Sequence, residues 1–211
     1  MKLNTLVSLL IALVVGIGAG RAQSGKGYNI GETVSDFRLK NVDGRQISLA
    51  DYRSQKGIIV VFTCNHCPFS KAYEDRILAL DRTYAAQGYP VLAIMPNDPT
   101  AYEDDSFDNM KVRAREKAYT FPYTIDETQA VGRAFGATRT PQVYVLRRVG
   151  AADASAHFVV AYAGTIDDNP QDAGGIQKRY VEEAVSSLLA GKTVGQTTTK
   201  AIGCAIKWKT S

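Results

Sequence analysis

The chain has 211 residues, 45% of them hydrophobic and 22% charged, enough apolar material for one core of ordinary size. Its net charge of +4 falls to +2 once a basic, apolar leader is set aside, a balance too even to imply nucleic acid or a membrane surface as partner. His66 and His157 are the only histidines, which argues against an elaborate metal site. Three cysteines, at 64, 67 and 204, make an odd number, so one thiol stays free, pairs between chains or exchanges partners.

Residues 1–22 read as that leader. Lys2 gives the positive start, Leu6 to Gly18 the apolar run, and Gly20-Arg21-Ala22 the small residues of a cleavage site. The run is shorter than the ~20 residues of a membrane span. An exported protein of the periplasm or cell envelope is therefore expected, with no stable membrane association after cleavage, in a compartment where disulfides persist. The body of the chain is expected over 23–192, with a linker and tail over 193–211.

Phe37, Leu39, Ile47 and Leu49 alternate with polar residues around Asp43-Gly44, the pattern of a β-hairpin. Ile58 to Phe62 is a continuous β-branched and aromatic run, as in a strand buried on both faces. Cys64-Asn65-His66-Cys67-Pro68 follows at once. Pro68 suits a first helical turn, and Tyr73, Ile77, Leu80 and Tyr84 share one helical face. Gly88 ends that helix. Val91 to Met95 predicts a second buried strand, and Phe107, Met110, Ala114 and Ala118 a helix capped by Ser106.

After Phe121-Pro122, Thr128 to Phe135 predicts a short helix stopped by Gly136. Gln142 to Leu146 predicts a third strand behind Pro141, and Phe158 to Ala163 its partner. A last helix carries Ile176, Tyr180, Val181, Ala184, Val185, Leu188 and Leu189, ending at Gly191. Thr193 to Lys200 is a polar linker, and Ala201 to Ser211 a short tail. Alternating strands and helices indicate an α/β layer architecture.

Two cysteines separated by two residues at a helix start can alternate between dithiol and disulfide, and the helix dipole favours the thiolate of the first. Cys64 is thus the expected nucleophile and Cys67 the resolving thiol that releases substrate. His66, lying between them, is expected to stabilise the thiolate. No cofactor beyond these thiols is implied.

The sequence resembles the thioredoxin superfamily and, within it, the redoxin or peroxiredoxin-like (AhpC/TSA-type) branch. The carrying residues are Asp36-Phe37-Arg38-Leu39 before the Asp43-Gly44 turn, Val61 to Pro68, Phe121-Pro122 leading to Asp126, Phe135-Gly136-Ala137, and Thr140-Pro141. The resemblance spans most of residues 28–192. It implies a thioredoxin-like fold, a central mixed sheet flanked by helices, here with an N-terminal β-hairpin, a helical insertion and a C-terminal tail. It also implies that Pro141 is cis and faces the disulfide, with Thr140, Asn65 and adjoining backbone available to an extended substrate segment. Protein thiols or disulfides would be the substrates, with a separate recycling partner.

Two departures from the resemblance stand out. The strand Ile58–Phe62 holds no buried acid, a place that Asp126, Asp167, Asp168 or Glu74 could fill, though each reads more simply as a cap or a solvated charge. The Pro-X-X-X-Thr-X-X-Cys pattern of peroxiredoxins fits neither cysteine: Val60 and Cys64 would hold the Pro and Thr places before Cys67, and Gly57 and Val61 those before Cys64. A thiol peroxidase is accordingly the alternative enzyme class. A copper- or other metal-binding module is the alternative outside enzymes, although copper-delivery relatives space their cysteines by three residues and add a distant His. Cys204, in an apolar tail ending near the only Trp, reads either as a buried inert thiol or as a third redox thiol that reaches the Cys64 pair.

Overall fold

The computed structural model describes residues 27–210, so the leader lies outside the described residues. Ten strands are present there: β1 (Thr33–Val34), β2 (Arg38–Asn41), β3 (Gln46–Ser48), β4 (Gly57–Phe62), β5 (Val91–Met95), β6 (Tyr123–Ile125), β7 (Arg139–Thr140), β8 (Gln142–Val149), β9 (His157–Gly164) and β10 (Cys204–Ala205). Four α-helices accompany them: α1 (Pro68–Tyr84), α2 (Phe107–Glu116), α3 (Ala130–Phe135) and α4 (Tyr180–Leu189). Among the described residues no helix is long and apolar enough to cross a membrane.

Eight strands form one sheet in the order β1-β9-β8-β4-β5-β6-β2-β3. β4, β5 and β6 run parallel, and β8 lies antiparallel to β4. β4 is central because every one of its residues can be buried: Ile58 to Phe62 have no solvent exposure. Successive side chains of a strand point to opposite faces, and the core divides accordingly. Ile59 and Val61 join Tyr73, Ile77, Val181 and Val185 from α1 and α4, whereas Ile58, Val60 and Phe62 join Val131 and Phe135 from α3. The helices therefore cover both faces, as the sequence pattern indicates.

The hairpin β2–β3 turns at Gly44, whose φ of 89° is one that L side chains rarely adopt. Ser106 Oγ accepts a hydrogen bond from Asn109 N–H at the start of α2. Three expectations need correcting. Ala118 lies beyond α2, with φ 51°. Ile176 precedes α4, which begins only at Tyr180, because an Asp172-capped 3-10 turn fills the space before it. Tyr123–Ile125 is a strand that continues the parallel sheet beside β5, where no strand is expected from the sequence.

The polar linker is tied down. Ala163 on β9 donates to the Thr197 carbonyl and accepts from Thr199 N–H, and the Thr199 hydroxyl meets Tyr162 Oη at 2.6 Å. Beyond it, β10 pairs antiparallel with β7, forming a separate two-stranded sheet. Ile206 and Trp208 then pack on the α3 side of the core.

Candidate active site

β4 delivers Cys64 two residues past its end, and Cys67 occupies the N-cap of α1, with Pro68 as the first helical residue. The Thr140-Pro141 peptide bond is cis, and Thr140 touches both sulfurs. Its hydroxyl shares a hydrogen bond of 3.1 Å with Cys64 Sγ, and its carbonyl oxygen lies 3.2 Å from Cys67 Sγ. A disulfide sulfur carries no proton, so the second contact is a hydrogen bond only when Cys67 is a thiol.

In this structure Cys67 is paired with Cys204, across a sequence separation of 137 residues and a Cα–Cα distance of 6.1 Å, and Cys64 is a free, buried thiol. The tail cysteine thus reaches the pair, joined to Cys67 and not to Cys64. The thiolate that the helix dipole is expected to favour at Cys64 is disfavoured in this state, with Cys67 bonded to Cys204. Cys64 is 4% exposed. Burial pushes its thiol pKa up and the Asp105 carboxylate adds to that, against smaller opposing pulls from the Thr140 hydroxyl, the Cys67 amide and Ser70. With Cys67 engaged by Cys204, burial and Asp105 favour the neutral thiol of Cys64 over its thiolate.

Asp105 is the residue the sequence did not reveal. It has no solvent exposure. Its Oδ1 accepts from the amides of Asn65 (2.8 Å) and His66 (3.1 Å), and its Oδ2 accepts from Asn97 Nδ2 (2.8 Å). His66 Nδ1 lies 2.6 Å from the same Oδ2. The tautomer with its proton on Nδ1 is the one that donates there, which leaves Nε2 as an acceptor. The ring stacks on Tyr102, with 3.9 Å between centroids and an interplanar angle of 9°. One donor atom from each of Cys64, His66 and Asp105 falls within a 4.8 Å cluster. Asp105 is already saturated by four donors, so the cluster reads better as an oriented thiol, imidazole and carboxylate than as a cation site.

The other expected acids have structural work. Asp126 caps α3 through Gly132 N–H (2.7 Å), and its pKa is raised by burial. Asp167 is buried against Arg76 and Tyr73. Asp168 holds the amides of Gln177 and Lys178 and lies at the surface; slight desolvation aside, those bonds keep its pKa low. Glu74 borders a small cavity with Cys64, Ser70 and Arg113. Burial would raise its pKa, but hydrogen bonds from Arg113 and Tyr119 outweigh that and hold it below the ordinary carboxylate value. None of the four replaces Asp105 beside the cysteines. Asn65, expected to face substrate, is buried, donating to the Asp104 carbonyl and accepting from Tyr123 Oη. It shapes the loop. His157 begins β9 opposite Val149, at the other end of β8 from Gln142, which pairs with Phe62 at the cysteine end of β4.

Residues 30–168 match the AhpC/TSA family. Among curated proteins, the chain is 28% identical over 153 residues to thiol-disulfide oxidoreductase ResA of Geobacillus thermodenitrificans, covering 71% of this chain and 82% of that protein. Among solved structures, an uncharacterized conserved protein from Geobacillus kaustophilus is 35% identical with a TM-score of 0.78, over 87% of this chain and 94% of the other. A thioredoxin-family thiol:disulfide interchange protein from Chlorobium tepidum TLS shares the fold, with 20% identity and a TM-score of 0.55 over 80% and 99% of the two chains.

Proposed function

The chain belongs to the AhpC/TSA family and is a thiol–disulfide oxidoreductase of thioredoxin-like fold, and we propose that it is an exported enzyme exchanging disulfides with protein thiols through Cys64, Cys67 and Cys204. The observation that carries the reading is the Cys67–Cys204 disulfide beside the free Cys64 thiol, with Thr140 in contact with both Cys64 and Cys67. Cys67 is the shared member of two alternative pairs. Cys64 gives up its proton and attacks Cys67 Sγ, a Cys64–Cys67 bond forms as the Cys67–Cys204 bond breaks, and Cys204 leaves as a thiolate that takes up a proton. No electrons are gained or lost in that rearrangement. A substrate dithiol then reduces the Cys64–Cys67 disulfide, or, in the opposite direction, a substrate disulfide re-forms it.

We assign to His66, whose Nδ1 is held by Asp105, the role of receiving the Cys64 proton, and to the Thr140-Pro141 segment that of holding substrate backbone. Export is supported by the leader pattern of residues 1–22 and by a disulfide between distant cysteines, a bond typical of oxidising compartments. The boundaries proposed for mature body and tail, 23–192 and 193–211, follow the same reading.

The test is to equilibrate the protein in a glutathione series, quench with acid, alkylate and map the disulfides by mass spectrometry. A Cys64–Cys67 form interconverting with a Cys67–Cys204 form, together with reduction of a protein disulfide by the fully reduced enzyme, is the expected result. A Cys64 that never enters a disulfide at any potential overturns it.

A further inference from the structure

Resting on that reading, we infer that the tail segment Gly203–Ile206 is an internal substrate: it occupies the edge of Arg139–Thr140 on which a protein substrate lies, and it displays the sequence such a substrate needs, a cysteine preceded by glycine. β10 adds to β7 as an antiparallel strand, with Cys204 opposite Thr140 and Ala205 opposite Arg139. Ile206 N–H donates to the Thr138 carbonyl at 3.1 Å, extending the match by one residue. The segment is extended, backbone-paired and joined through its cysteine to the resolving thiol, an arrangement that strand addition to a sheet edge produces with any peptide of suitable sequence.

Glycine is demanded by close approach. A Cβ built on Gly203 would lie 2.2 Å from the Thr140 carbonyl oxygen and 2.7 Å from its carbon, both backbone atoms of the active-site segment itself. Nothing there can yield as a flexible side chain would, so any residue larger than glycine before the cysteine lifts the segment from the edge. The position after the cysteine is permissive, because Ala205 is exposed. The next one selects an apolar side chain, because Ile206 is 5% exposed and packs with the α3 side of the core.

Entry of a substrate therefore requires the tail to leave. The rearrangement that forms Cys64–Cys67 supplies the release, since Cys204 departs as a thiol and the covalent tether goes with it. One reaction arms the exchanging pair and clears the edge.

The experiment uses a peptide of residues 201–209, Ala-Ile-Gly-Cys-Ala-Ile-Lys-Trp-Lys, activated as a mixed disulfide with thionitrobenzoate, and its counterpart with the glycine changed to alanine. Reduced full-length Cys204→Ser is mixed with each, and thionitrobenzoate release is followed by absorbance. The glycine peptide is expected to react at least tenfold faster than the alanine peptide, with glutathione, which has no edge, reacting equally with both. In parallel, oxidised full-length Gly203→Ala is expected to carry Cys64–Cys67 in place of Cys67–Cys204, with Cys204 open to alkylation. Equal peptide rates, or Gly203→Ala keeping the Cys67–Cys204 bond in wild-type proportion, overturn the inference. If the reduced enzyme cleaves neither peptide nor a small aromatic disulfide, it is the exchange reading that fails; cleavage of the small disulfide without a glycine preference sinks the internal substrate alone.

Discussion

β4 and β10 both pass close to the active-site cysteines, but different forces hold them. β4 lies mid-sheet between β5 and β8 with Ile58 to Phe62 unexposed, so nothing short of unfolding the core can free it. β10 pairs with two residues of β7, leaves Cys204 partly exposed and Ala205 exposed, and is held by one disulfide, a few hydrogen bonds and the packing of Ile206 just beyond it. Elements of the first kind open only globally, and those of the second kind open locally at low cost. The rigid strand positions the chemistry, and the loosely held one is free to take part in it.

The largest test of that contrast is Phe62→Ala, which empties the centre of the buried aromatic group around Phe135 and Tyr144. It is expected to lower unfolding free energy by about 3–5 kcal/mol, read from equilibrium denaturation. Reducing the Cys67–Cys204 disulfide frees a closed loop of 137 residues' separation and is expected to cost about 2–4 kcal/mol. Its amide-exchange signature should differ, with faster exchange confined to Arg139, Ile206 and their neighbours while β4 stays protected. Uniform loss of protection across both strands would erase the distinction drawn between them.

Next in size come effects at Cys64. Its raised pKa, from burial and then Asp105, predicts that alkylation of this thiol in the oxidised protein keeps accelerating above the ordinary thiol value of about 8.5. Asp105→Asn should move that profile toward lower pH while leaving it above the ordinary range, because burial remains. The stability linkage has a definite sign. A thiol pKa raised in the folded state contributes stability that is present below the unfolded value, and that contribution is lost as pH rises through the folded value. Denaturation midpoints should therefore fall on the alkaline side for wild type and less so for Cys64→Ser. The smallest effect belongs to Ile202→Ala: Ile202 is 37% exposed beside the tail cysteine, and its removal should change stability by less than about 0.5 kcal/mol and leave the disulfide pairing as it is.

Periodicity was a sound guide wherever an element is long and its face continuous. The run Ile58–Phe62, the face Tyr73-Ile77-Leu80-Tyr84 and the pair Gln142–Leu146 with Phe158–Ala163 all appear as expected, because burial on a regular lattice leaves a regular trace in sequence. β6 left no such trace: three residues behind Pro122 are too few to show a period, and its place is fixed by β5 and β2. Asp105 was hidden for a different reason. It lies about 40 positions from His66 in a run of acids, Glu103-Asp104-Asp105, that reads as solvated, and only the return of that loop onto the cysteines distinguishes the buried member. That Cys204 could reach the pair was legible, but which cysteine it joins was not, since three cysteines permit three pairings and the short spacing of two of them favours the wrong one for this state.

Asn97 links the docked tail to the active-site carboxylate. Its Nδ2 donates to Asp105 Oδ2, and its Oδ1 accepts from the amide of Lys207 in the tail. One buried amide is thus a rigid crossbar between the docked C-terminus and the carboxylate that aims His66. When the tail departs, the carbonyl end of that crossbar loses its partner, and whatever Asn97 does to compensate is transmitted to Asp105. Linkage makes the coupling reciprocal: a change at the imidazole that weakens Asp105's grip on Asn97 must loosen the tail by the same free energy. Asn97→Ala should cut both cords, making Cys204 easier to reach and removing the dependence of tail release on His66, whereas His66→Ala in an otherwise unaltered chain should still be felt at Lys207.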